Sequence, residues 1–114
     1  MEAIDFVLGV RETVIDSGIN DYVTVFTTQE ADKATNAFWK EALPWFQRLS
    51  ESDKEIFFKI LRVVQIDTAA TILALLDGTF MLEKQEELFV LLEEGKEEPI
   101  NGELRDLFLS FEDE

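Results

Sequence analysis

The chain has 114 residues, 25 acidic and 10 basic, for a formal charge of −15, and it contains neither histidine nor cysteine. Those absences exclude a Ser-His-Asp triad, a histidine general base, histidine or thiolate metal ligands and a disulfide framework. A 46% hydrophobic content with ten Phe and two Trp is too apolar for a disordered chain, and the length suits a single domain, 1–114, around one core.

The N-terminus opens Met1-Glu2-Ala3-Ile4-Asp5, without the basic segment and apolar stretch of a signal peptide, so the expected location is cytoplasmic. The acidity repels nucleic acid and anionic membrane, which leaves a basic protein as the compatible partner. Residues 83–114 are the most acidic part, with 12 acids against three bases, or −9.

In chain order, Ile4, Val7, Leu8, Arg11, Val14 and Ile15 recur at helical spacing, which predicts a first helix over 3–16 with Gly18 as its C-terminal cap. Tyr22 to Thr27 is β-branched and aromatic, and in isolation favours a strand. Thr27 and Glu30 read as a capping box for a helix over about 28–42, and Pro44 as a break followed by a short helix at 44–49. Ser52 and Glu55 form a second capping box before Ile56, and Asp77-Gly78 supplies a stop. Between them lies the strongest element, a helix over 53–77 whose polar positions drift around its axis, so that it should sit at the centre with the others packed about it.

Residues 86–92 fit both a short helix, which is slightly favoured, and a buried strand; in the second case Gly95-Lys96 and Asn101-Gly102 become turns and a small β-hairpin spans 87–101. Asn101 can cap a last helix that presents Leu104, Leu107, Phe108 and Phe111 on one face, with a frayed end at Glu112-Asp113-Glu114. The expected fold is mainly α, a compact bundle of about four to six helices around 53–77.

Carboxylates are the abundant chemical groups. Glu83-x-x-Glu86 and Glu103-x-x-Asp106 place acids three apart, and the pattern resembles the metal-binding signature of all-helical nucleotide pyrophosphohydrolases. That resemblance implies a Mg²⁺ held by the two pairs, neutralising phosphates and activating water. Four Glu-led pairs of this spacing occur in the chain, however, against about five expected from composition alone. Gly95, Pro99 and Gly102 also separate the two pairs and oppose a packed helix pair between them. No metal or other cofactor is therefore expected.

Asp67, inside the most apolar run, reads as a buried acid that is a candidate functional group or partner for Arg62, as the cap of a second helix after a break at 66, or as part of the polar stripe with Thr68 and Thr71. Phe38, Trp39, Trp45 and Phe46 form an aromatic cluster around Pro44, suited first to the core and otherwise to an interface. Glu93, Glu94, Glu97 and Glu98 are the candidate partner-binding residues. The function so predicted is a small, non-enzymatic acidic protein that binds a basic one, as a toxin immunity protein or a phosphate-mimicking inhibitor does. The alternatives are the Mg²⁺-dependent hydrolase and a homodimeric adaptor anchored by Trp39 and Trp45.

Overall fold

The computed structural model describes residues 1–112, which are mainly helical and contain no strand. The first helix continues far beyond its predicted end: α1 (Ala3–Val10), a π-helical stretch (Arg11–Asp16) and α2 (Ser17–Thr28) follow without a break, and the junction residues Arg11 and Ser17 keep helical dihedrals. The wide turns of the π stretch slow the angular advance, so Val7 and Ile15, eight residues apart, can bury on one side where a regular helix would overshoot by about 80°. Both are fully buried. Gly18 is thus a helix-interior contact and not a stop; a Cβ there would lie 3.4 Å from Gln65 Nε2.

Residues 22–27 are helical despite their β-branched composition, because Phe26 on this face enters the core. The predicted helix over 28–42 is replaced by a 3-10 turn (Ala31–Lys33) and a separate α3 (Ala37–Gln47). The hydroxyls of Thr27 and Thr28 bond back to the carbonyls of Val23 and Thr24, so these residues close α2 and do not cap a new helix. The true cap is Asn36, whose Oδ1 accepts from Phe38 N at 2.8 Å. Pro44 lies inside α3, so the expected break and short helix at 44–49 do not occur; the proline merely leaves the Lys40 carbonyl without its helical donor.

The long helix α4 runs Glu51–Asp77, and its N-cap is Ser50, not Ser52: Ser50 Oγ accepts from Asp53 N at 3.1 Å. It ends as predicted at Gly78, in the left-handed conformation with φ 79°. After a long irregular stretch, α5 spans Leu104–Ser110.

The predicted hairpin at 87–101 does not form, and neither does the helix at 86–92. Ile100 N does donate to Leu91 O at 2.8 Å, but the adjoining ladder position is taken by a side chain: Asn101 Oδ1 accepts from Leu91 N at 2.8 Å, while its Nδ2 donates to Phe89 O and Leu76 O. Pro99 further lacks the amide a ladder needs. Asn101 therefore stitches the irregular stretch to the end of α4 and does not cap α5. The capping groups come from Asp77, whose Oδ1 accepts from Gly102 N and Leu104 N at 2.7 and 3.1 Å and whose Oδ2 accepts from Arg105 N at 2.8 Å.

Two apolar clusters lie along α4. One joins Val7, Ile15, Ala69, Ala70, Leu73, Ile100, Leu104 and Phe108; the other joins Phe26, Leu43 and Phe46 with half-buried Trp39, Phe57 and Phe58. Phe26 is the hub of the second, with ring centroids 5.0 Å from Phe46 and Phe57 and 5.2 Å from Trp39. The molecule measures 51 × 35 × 26 Å. Of the expected frayed end, residues 113–114 lie outside the described part, but Glu112 is anchored: it pairs with Arg11 at 2.9 Å and with Arg62 at 3.2 Å.

Candidate functional site

The four candidate carboxylates sit on one pinned loop. Lys96 N donates to Glu93 O at 3.0 Å, closing a four-residue turn with Gly95 at φ 83°. A left-handed third residue is what a type II turn demands and glycine supplies without strain. The Leu91–Ile100 and Leu91–Asn101 bonds hold the two sides of the loop together. On this support Glu94, Glu97 and Glu98 are exposed, and Glu97 and Glu98 border a shallow depression of about 350 Å³ with Met1, Glu2, Glu93 and Lys96.

Glu93 is engaged locally, since its Oε1 accepts from the Met1 ammonium at 2.6 Å. That hydrogen bond, reinforced by the ammonium's charge, holds the Glu93 carboxyl below its ordinary value of 4.5. A lowered folded-state value means that the pair supports the fold above the unfolded carboxylate range and ceases to do so as pH falls through the lowered value. Carboxyl titration followed by NMR should place Glu93 below the other loop glutamates, and acetylation of the Met1 amine should return it toward 4.5.

The alternative carboxylate pairs are arranged differently from the helix pair that a Mg²⁺ site of that type needs. Glu83 and Glu86 lie in the irregular stretch after α4, Glu103 immediately precedes α5 and Asp106 lies in its first turn. Among the described residues, no three acidic side chains converge closely enough to hold a metal ion.

Asp67 is exposed on α4, and Arg62 does not pair with it. Arg62 reaches Asp16 at 3.5 Å and Glu112 at 3.2 Å, because helical geometry turns a residue five positions away onto another face. Arg11 completes this cluster, with its guanidinium 5.6 Å from the ring centres of Phe108 and Phe111. Arg11 and Arg62 thus bind the chain end to the first helix and α4, a role invisible to local sequence spacing.

The aromatic cluster is split. Phe46 is buried and Trp39 half-buried, whereas Phe38 and Trp45 are 60% and 43% exposed. Phe38, Trp39 and Phe57 line a groove of about 560 Å³ that continues to Leu61, Val64 and Gln65. Gln65 also borders a second groove of about 310 Å³ between the first helix and the C-terminal half of α4, lined by Phe6, Val10, Val14 and Ile72. Neither groove has a charged residue in its lining. Sequence periodicity missed this surface, since it assigned nearly all of the α4 hydrophobics to the core.

No helix of the described residues is long and apolar enough to cross a membrane. No family model, no curated protein and no solved structure matches this chain.

Proposed function

We propose that this chain is a cytoplasmic, non-enzymatic interaction protein whose acidic loop at 93–98 receives a basic protein partner. The observation that carries the reading is the pinning of that loop: its exposed carboxylates stand on a turn closed by backbone and Asn101 bonds, so the anionic field is presented without a large ordering cost. A surface of this kind steers a cationic groove into place and offers it carboxylates where it would otherwise take phosphates.

The test uses the chain as bait for proteins of its host, with the captured partner then followed by association kinetics. The expected partner is basic, and its association slows as salt rises, since the attraction is screened beyond about 8 Å at physiological ionic strength. Changing Glu93, Glu94, Glu97 and Glu98 to Gln should slow association by about tenfold or more. Equal capture by wild type and variant would remove this function from the loop.

A further inference from the structure

Asn101-Gly102 is the only Asn-Gly pair in the chain; the other two asparagines precede Asp21 and Ala37. Such a pair carries a reaction of its own. The Gly102 amide nitrogen can attack the Asn101 side-chain carbon Cγ, because glycine has no Cβ to hinder the approach and its backbone turns freely. An N–Cγ bond forms, the Cγ–Nδ2 bond breaks, and Nδ2 leaves as ammonia with the proton of the amide. Water then opens the resulting five-membered imide at either carbonyl, which leaves Asp or its β-linked isomer at position 101. The only co-reactant is water.

The fold engages each group that this reaction uses. Asn101 Oδ1 accepts from Leu91 N at 2.8 Å, and Nδ2, the leaving group, donates to Phe89 O at 2.9 Å and to Leu76 O. The attacking Gly102 N–H is held on Asp77 Oδ1 at 2.7 Å, and an acceptor carboxylate opposes the loss of its proton. The reaction therefore waits for the 79–103 stretch to open, and its rate follows the population of that open form. The product cannot restore the ties. Asp at 101 has no N–H to donate, so a carboxylate oxygen faces the Phe89 and Leu76 carbonyls. Leu76 lies in the last turn of α4, where the helix dipole disfavours negative charge. The β-linked isomer adds a backbone carbon between 101 and 102, which moves Gly102 off Asp77.

We propose that Asn101-Gly102 is a deamidation switch, protected while the fold is closed, whose conversion irreversibly releases the 89–101 segment, with its acidic loop, from the end of α4. Conversion and release need no partner; only their consequence for recognition rests on the reading of the loop at 93–98.

Mass spectrometry of the purified full chain, incubated at mildly alkaline pH with and without denaturant, measures the conversion. The denatured chain should gain the mass difference between water and ammonia at Asn101, well ahead of Asn20 and Asn36. Gly102→Ala should lose most of that gain, measured denatured so that the strain of a side chain at φ 137° plays no part. The native chain should convert about tenfold or more slowly than the denatured one, and Asp77→Ala, which frees the Gly102 amide, should bring the native rate closer to it. Hydrogen exchange then reads the release on Asn101→Asp, which reproduces the unbranched product. The Leu91 and Ile100 amides should exchange about tenfold or more faster than in the wild type, while that of Leu73 stays protected. Equal native and denatured rates would overturn the proposal, as would Asn101→Asp with Leu91 and Ile100 protected as in the wild type. Loss of protection at Leu73 as well would mean global unfolding and would overturn a switch confined to this stretch. None of these results bears on the acidic-loop reading, which association kinetics alone tests.

Discussion

Phe108→Ala and Phe46→Ala should each destabilise the fold by about 3–5 kcal/mol, the range for emptying a fully packed phenylalanine site. Both side chains are essentially inaccessible, Phe108 in the cluster formed by the first helix, α4 and α5 and Phe46 in the aromatic cluster around Phe26. Their environments differ in kind. Phe108 sits in a largely aliphatic cluster with the Arg11 guanidinium 5.6 Å from its ring, whereas Phe46 loses ring contacts with Phe26, Phe57 and Phe58 at centroid distances of 5.0 to 5.8 Å. Because the two clusters share α4 but no buried residue, the milder pair Phe108→Leu and Phe46→Leu should show near-additive costs. Chemical denaturation measures this. Strong coupling between the two would mean one continuous core.

Asp77→Ala should cost about 2–3 kcal/mol, more than an ordinary helix cap. One carboxylate accepts three backbone amides, from Gly102, Leu104 and Arg105, and it fastens α5 to the end of α4. Leu104 is fully buried, so its amide has little access to water as a substitute. Asp77→Asn should retain part of the effect, because one oxygen still accepts while the amide group opposes the Arg105 N–H. Equilibrium unfolding of the two variants distinguishes this: equal, small losses would mean that α5 is held by packing alone.

What could be read from the residues was mostly local. The end of α4 at Asp77-Gly78 was legible because glycine alone relieves a left-handed cap, and the body of α4 followed from the length of its apolar run. The start was displaced to Ser50 because two serines of equal capping ability lie two apart, and only backbone geometry chooses between them. Residues 22–27 went against their β propensity because burying Phe26 outweighs an intrinsic preference of at most about 1 kcal/mol. Thr27 with Glu30 satisfied a capping pattern, yet the threonine hydroxyl had a nearer acceptor in its own helix. The irregular stretch from 79 to 103 was unreadable for another reason: Asn101 bonds Leu76, 25 positions away, and Phe89 and Leu91. Long-range side-chain ties of that type leave no periodic trace.

The candidate surfaces divide in the same way. Exposed acids cluster in sequence as they do in space, so Glu93 to Glu98 could be found from charge alone. The apolar grooves along α4 could not, since periodicity alone assigns such positions to the core. Asp67, read as a buried acid or as part of the polar stripe with Thr68 and Thr71, is exposed, as both threonines are, because the helix turns that side outward.

Net charge and charge position make different claims, and one comparison separates them. The variant with Glu93, Glu94, Glu97 and Glu98 changed to Gln is set beside a second in which exposed Glu41, Glu55, Glu83 and Glu86 are changed to Gln, so that both carry the same net charge. Association rates with the captured basic partner are then measured at low salt. If the pinned loop is the recognition surface, the loop variant associates about tenfold or more slowly while the matched variant stays close to wild type. Equal slowing of both would contradict the account, since the acidity would then act only as a diffuse field with no recognition surface at 93–98.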